Sequence, residues 1–219
     1  MTMPTLVMGT RNYSSWSLRP WLLARHLSIP LEERVLHFGS EQFATEVARL
    51  SPSHKVPVLL HDGVCIWESL AICEYLSELA DGRGWPQDLA LRARARAVAA
   101  EMHAGFPALR SQCPMNARAV GRRVTVTAAL TGDLQRIESI WVDCRAAAAG
   151  KGPWLFGDYS AADAMYGPVV LRIRSYGLAL GGIAGDYYEH CLQDSSLREW
   201  IGLAEVEGVR VEEEELGGT

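Results

Sequence analysis

The 219-residue chain predicts an α/β N-terminal domain followed by an all-α C-terminal domain. Three observations carry that reading. Strand-like and helix-like segments alternate as far as residue 82, a Gly84-Trp85-Pro86 break follows, and alanine-rich helical segments then replace the strands. The boundaries fall at 1–82 for the first domain, 83–88 for the linker and 89–219 for the second domain.

Each element has a local reason. "TLVMG" (Thr5–Gly9) is a short apolar strand ending at glycine, and Ser17 to Leu27 places Leu18, Trp21, Leu22 and Leu27 near one helical face. Ser28-Ile29-Pro30 stops that helix, and "LEERVLHF" (Leu31–Phe38) reads as the second strand. "SEQFATEVARL" (Ser40–Leu50) is a helix opened by a serine, with Glu41 in its first turn. "VPVLLHDGVCIWE" (Val56–Glu68) places two strands around Asp62-Gly63, a hairpin signal. "SLAICEYLSELADG" (Ser69–Gly82) closes the domain as a helix with Ser69 at its cap. The order is βαβαββα, with the first two strands parallel across a helical crossover and the last two antiparallel. In the second domain Asp88–Phe106, Asp133–Ala149 and Ser160 to about Tyr176 read as helices, and the terminal "VEEEEL" as a solvated acidic tail.

Composition narrows the function. A 48% hydrophobic content supports real cores, and a net charge of −5 gives no general attraction to nucleic acid or anionic membrane. The longest apolar runs stop short of a membrane span. The N-terminal residues lack the pattern of a secretory signal. Five cysteines without a CxxC pair fit neither a disulfide framework nor a zinc site, so the expected compartment is a reducing cytoplasm. Six histidines show no metal-ligand spacing, and no metal is expected. "GGIAG" (Gly181–Gly185) follows a helix and reads as a loop with no dinucleotide role. Arg92, Arg94 and Arg96 spread over a helix surface, suited to solvent or a subunit contact.

Several residues have both an ordinary and a chemical reading. Pro57 opens a strand, which suits a sheet edge. Ser69 is a natural N-cap, Glu68 a solvated strand end, and Lys55 a surface charge. "RNYSSWSLRPW" gathers Ser14, Ser15 and Ser17 at the start of a buried helix, more hydroxyls than capping requires.

The βαβαββα order with Pro57 before its third strand resembles the thioredoxin-like fold. That resemblance implies a cis Val56–Pro57 peptide and a Val56 backbone turned outward to pair with a peptide ligand like an added strand. "SPSHKVPVL", "WESLAI" and "FGDYSAADA" are similar to the glutathione-binding and helix-capping motifs of the cytosolic glutathione transferases. With the two-domain rhythm, the resemblance covers essentially the whole chain. It implies that Val56 pairs with the cysteinyl part of glutathione, that Glu68 and Ser69 hold its γ-glutamyl end, and that Lys55, with His54, reaches its glycyl carboxylate. A helix start favours a carboxylate and Glu68 can hold an ammonium, so the chemistry is consistent.

"SSWSLRPW" resembles the serine motif of zeta-class transferases, which read SSC followed by a nearby arginine. The match implies that Ser14 is the hydroxyl donating to the glutathione sulfur, with Ser15 its neighbour and substitute and Ser17 a structural cap. Two departures point to a bacterial zeta-like branch rather than a standard maleylacetoacetate isomerase. Trp16 replaces the cysteine and places a ring over the site, and Pro20 enters the helix in its first turn. Where zeta enzymes carry a substrate-binding arginine, the alignment places Ser175, just after Arg172 and Arg174. "YSAAD" (Tyr159–Asp163) is a capping box with a folding role.

If "EMHAGFPALR" forms one helix, Met102, Phe106 and Arg110 share a face. The two apolar residues suit a core as well as an electrophile pocket, while Arg110 suits an anionic substrate; His103 reads as a surface or supporting residue. The expected activity is conjugation of glutathione to small electrophiles, in detoxification, by a homodimer. Two alternatives remain: cis–trans isomerisation of the maleylacetoacetate type, and a non-catalytic glutathione-binding protein.

Overall fold

The computed structural model describes residues 2–218. The expected βαβαββα unit is present: β1 (Thr5–Gly9), α1 (Ser15–His26), β2 (Glu32–Leu36), α2 (Glu41–Leu50), β3 (Val58–His61), β4 (Val64–Trp67) and α3 (Ser69–Leu79). The four strands lie in the order β2-β1-β3-β4. β1 and β2 run parallel from Thr5↔Glu32 to Gly9↔Leu36, whereas β3 is antiparallel to both β1 and β4. Asp62 and Gly63 turn the β3–β4 hairpin, both with positive φ, as a tight two-residue turn requires. This is a thioredoxin-like sheet and helix domain.

The remainder is helical: α4 (Leu89–Ala104), α5 (Pro107–Gln112), α6 (Ala128–Ala147), α7 (Ala161–Tyr176), α8 (Gly182–Leu192) and α9 (Ser195–Glu207). Asp88, Thr127 and Asp194 cap α4, α6 and α9 by accepting the backbone N–H of Leu91, Leu130 and Leu197. One continuous core joins the two parts, with Leu18, Trp21 and Leu22 of α1 and Val169 and Val170 of α7 all buried. The helices approach closely because Gly167 has no side chain: a Cβ there would lie 2.5 Å from Leu22 Cδ1. Among the described residues, no helix is long and apolar enough to cross a membrane.

Several local expectations are corrected. α1 begins at Ser15 rather than Ser17, which puts Pro20 in the second turn, where it has no N–H to offer the Trp16 carbonyl. β2 is shorter than Leu31–Phe38. Glu68, not Ser69, occupies the cap position of α3, and Ser69 is its first helical residue. "EMHAGFPALR" is not one helix: α4 ends at Ala104, Phe106 adopts a left-handed conformation, and Pro107 starts α5. "GGIAG" is no loop, since Gly181 caps α8 and the other four residues lie within it. The acidic tail folds back onto the N-terminal domain through Glu215.

Candidate active site

The start of α1 gathers the serine hydroxyls. The chain leaves β1 at Gly9, and the Ser14 N–H donates to the Thr10 carbonyl at 2.9 Å, which fixes the turn into the helix. Ser14 takes the cap position, but its hydroxyl donates to Ser17 Oγ at 2.7 Å instead of capping. Ser17, fully buried, also accepts the Gly9 N–H at 3.2 Å, so it ties the strand end to the helix and is not the cap. Ser15 is buried as the first helical residue, and among the described residues its hydroxyl has no protein partner.

Beside this turn lies a cleft of about 330 Å³ lined by Trp16, Ser53, Lys55, Val56, Pro57, Glu68 and Ser69. Six of the seven residues implicated by the sequence in ligand binding thus share one wall, and His54 is not on it. Ser53, inside the same "SPSHKVPVL" run, also lines the cleft, although the resemblance gave it no role. The Val56–Pro57 peptide is cis, and pairing of β3 with β4 starts only at Val58, so Val56 lies outside the ladder and on the cleft. Glu68 has φ of 68° and ψ of 122°, a sparsely populated conformation of the kind that clusters at ligand sites. It places Ser69 and the free N–H groups of α3 at the cleft, a setting that favours a bound carboxylate.

Behind the wall sits a cation that the sequence reading did not single out as a site residue. Arg19 is fully buried, with Nε and Nη2 lacking a partner among the described residues and Nη1 3.4 Å from Ser69 Oγ. Its guanidinium lies 4.1 Å from the centroid of the Trp16 ring. Burial, with Arg110 and Arg172 nearby, holds its pKa well below the ordinary arginine value. Arg19 is the arginine that follows the serine motif in "SSWSLRPW", but the motif alone gives no sign that its guanidinium is buried behind Ser69.

Residues 13–79 match the family model described as "Glutathione S-transferase, N-terminal domain". The whole fold matches a Burkholderia glutathione transferase homolog solved with bound glutathione, with a TM-score of 0.68 over 94% of this chain and all of that one, at 23% identity. Residues 13–79 form a glutathione S-transferase N-terminal domain, and the chain as a whole shares the fold of the glutathione transferases. Ure2p in complex with glutathione (TM-score 0.67, 20% identity, 92% of this chain and 96% of that one) has the same fold. Sequence relatives include the maleylacetoacetate isomerase of Rattus norvegicus, 33% identical over 112 residues, 49% of this chain and 51% of that protein. The probable maleylacetoacetate isomerase of Caenorhabditis elegans is 34% identical over 107 residues, covering 48% of this chain and 49% of that one. The chain spans about half the length of the curated relatives it matches.

On the helical side of this transferase fold, the sequence candidates disperse. Met102 and Phe106 are buried in the core, where their apolar side chains fill space between helices. Arg110 donates to the carbonyls of Gly105, Met102 and His103, closing the end of α4, and stacks on Trp16 with its guanidinium 4.9 Å from the ring centroid. His103 packs edge-on against Trp16 and lies 3.5 Å from Glu68. Burial, then the charge of Arg19, lowers its pKa. Ser175 donates to the carbonyls of Asn116 and Leu171, and Arg172 donates to those of Cys113 and Pro168. Both are structural within the helical domain. Burial pushes the thiol of Cys113 up to about 11 and those of Cys73 and Cys144 up to about 12, which keeps them protonated and poor nucleophiles.

Proposed function

We propose that this protein binds glutathione in the cleft, stabilises its thiolate with Ser14 or Ser15, and conjugates it to small electrophiles. The observation that carries this reading is the convergence of Lys55, Val56, Pro57, Glu68, Ser69 and Trp16 on one cleft beside the serine turn. The γ-glutamyl carboxylate would meet the N-terminus of α3 and Ser69, and its ammonium Glu68. The cysteinyl backbone would pair with Val56, and the glycyl carboxylate would lie near Lys55, with His54 outside the lining.

The thiol proton leaves to solvent, and the sulfur anion accepts a hydrogen bond from a serine hydroxyl, which favours the ionised form. For Ser14 this requires a turn of its proton. In the unliganded protein that proton points to Ser17; with sulfur present, the Ser17 hydroxyl donates to Ser14 and Ser14 donates to sulfur. Each hydrogen bond in such a chain polarises the next. The thiolate then attacks an electrophilic carbon, forming the C–S bond as the leaving group departs.

A second reading is supported by the relatives named maleylacetoacetate isomerases. The same thiolate would add to a cis double bond and leave after rotation. A homodimer is part of the proposal, supported by Val64 and Trp67 standing exposed on the edge strand β4, and a cytoplasmic setting suits a ligand that must stay reduced.

The test follows the ultraviolet thiolate absorbance of glutathione on the purified protein across pH. A thiolate titrating well below the free thiol, and lost in Ser14→Ala or Ser15→Ala, supports catalysis and identifies the hydroxyl. Binding with an unshifted thiol favours a non-catalytic protein, and turnover of maleylacetone favours the isomerase.

A further inference from the structure

We infer that the C-terminal segment 208–217 positions the serine turn, acting through a hydrogen bond between Tyr13 and Glu215. The inference rests on the proposed role of Ser14 and Ser15.

Three consecutive residues of the loop that delivers Ser14, namely Arg11, Asn12 and Tyr13, are held by the second half of the chain. Arg11 donates its backbone N–H to Glu207 Oε2 at 2.7 Å and its carbonyl accepts from Trp200 Nε1 at 3.0 Å. Asn12 accepts from the backbone N–H of Ala117 through its carbonyl and from that of Arg118 through its side chain, at 3.0 and 2.9 Å. Tyr13 makes the contact nearest to the serines: its hydroxyl donates to Glu215 Oε1 at 2.5 Å and accepts from the Val211 N–H and Arg118 at 3.1 and 3.2 Å. The Tyr13 carbonyl in turn accepts the Ser15 N–H at 2.8 Å. A shift at Tyr13 is therefore passed directly to Ser14, Ser15 and Trp16.

Glu215 differs from its neighbours. Glu212 and Glu213 are exposed, as an acidic run should be, whereas the Glu215 side chain is only 9% exposed. It accepts from Tyr13, from Asn116 at 3.0 Å and from Arg122, and it lies 3.9 Å from Arg118. Arg122 also holds the Leu216 carbonyl, and the Arg123 N–H holds that of Gly217. Burial raises the Tyr13 pKa, with Glu215 adding to the effect, so the phenol remains a donor. Burial also opposes the charge on Glu215, but the hydrogen bonds from Tyr13 and Arg122 outweigh it and leave the carboxyl below its ordinary value. The pair is thus in its bonding form at neutral pH.

The experiment measures the pKa of bound glutathione and its dissociation constant in the full-length protein and in Tyr13→Phe, Glu215→Gln and Glu215→Asp. Glu212→Gln, whose carboxylate pairs with Arg210 at the surface, serves as the control. In Tyr13→Phe and Glu215→Gln the bound thiol pKa should rise by roughly 0.5–1 unit, with affinity changed less than about twofold. Glu215→Asp should recover part of the shift, and Glu212→Gln should show none. An unchanged pKa in folded variants, against a shifted one in wild type, overturns the inference alone. A parallel loss of affinity and melting temperature without a pKa change also overturns it, since that marks a merely structural clasp. If wild type binds glutathione as the neutral thiol, or not at all, the proposed function falls and the inference with it. Glu215→Gln keeps the side-chain shape and carries the test if Tyr13→Phe folds poorly.

Discussion

The Ser14 hydroxyl lies 2.7 Å from the Ser17 hydroxyl, and Ser17 in turn holds the N–H of Gly9 at the end of the first strand. One buried oxygen therefore links the sheet to the helix start that carries the proposed thiol-activating group. Ser17→Ala should leave the Gly9 N–H unpaired and cost about 1–3 kcal/mol, read as a lower urea midpoint at unchanged slope. It should also raise the pKa of bound glutathione, because Ser14 loses the donor behind it. A stability loss with an unmoved thiol pKa would confine Ser17 to a structural role.

Gly9 is required by space rather than by backbone conformation. A Cβ there would stand 2.4 Å from Phe38 Cζ and 3.1 Å from Ser14 Oγ. The clash falls on the far end of a half-buried Phe38 ring, a flexible side chain, whereas Ser14 is fixed by its turn. Gly9→Ala should thus fold with a penalty of about 1–3 kcal/mol. Its conjugation rate should fall roughly tenfold or more, since small displacements of a reacting group are costly. Initial rates with a small chromogenic electrophile check this, and a wild-type rate would show that Ser14 tolerates the shift.

How far the sequence led depended on how local each signal was. The βαβαββα order was readable because Asp62-Gly63 and the strand and helix periods are each contained in a few residues. The cleft wall was readable for the same reason: 55–57 and 68–69 are compact runs, brought together by one hairpin. The helical side was not. Gly105-Phe106-Pro107 was read through as helix, although a residue before proline resists the helical conformation, and this aligned Met102, Phe106 and Arg110 on a face that does not exist. Arg19 and Glu215 were hidden because their burial comes from distant segments. A charge in a helix or an acidic run is ordinarily solvated, and only tertiary packing reverses that.

Arg19 lets stability and binding be separated. Its guanidinium is desolvated with two nitrogens unpartnered among the described residues, the third within reach of the Ser69 hydroxyl, and its face against the Trp16 ring. Arg19→Met removes a buried, unpaired charge while keeping the length of the side chain. The unliganded protein should gain stability, by about 1–4 kcal/mol if it behaves like other buried charges replaced by apolar groups. Glutathione affinity should drop roughly tenfold, as a cation behind Ser69 no longer supports the bound carboxylate. Calorimetric binding and urea melts read the two effects. Lower stability with unchanged affinity would mean that stacking on Trp16 is all that Arg19 supplies.

Asp163 gives the fold a pH signature. Its Oδ1 accepts from the Leu155 N–H at 2.9 Å and the Tyr187 hydroxyl at 3.0 Å, and its Oδ2 accepts from the Ser160 N–H and hydroxyl at 2.9 and 3.0 Å. Burial nevertheless outweighs these four bonds and raises its pKa above the ordinary aspartate value. The sign follows from linkage. Between the unfolded and folded pKa values the native state binds the extra proton, so the contribution of Asp163 is greatest below the unfolded value and declines as pH rises through the folded one. Asp163→Asn should remove that slope. It should also cost about 2–3 kcal/mol near neutral pH, because one amide end must turn N–H groups toward protein donors. Urea melts of both proteins from pH 4 to pH 7 test it. A wild-type slope that persists in Asp163→Asn would place the titrating group elsewhere in the fold.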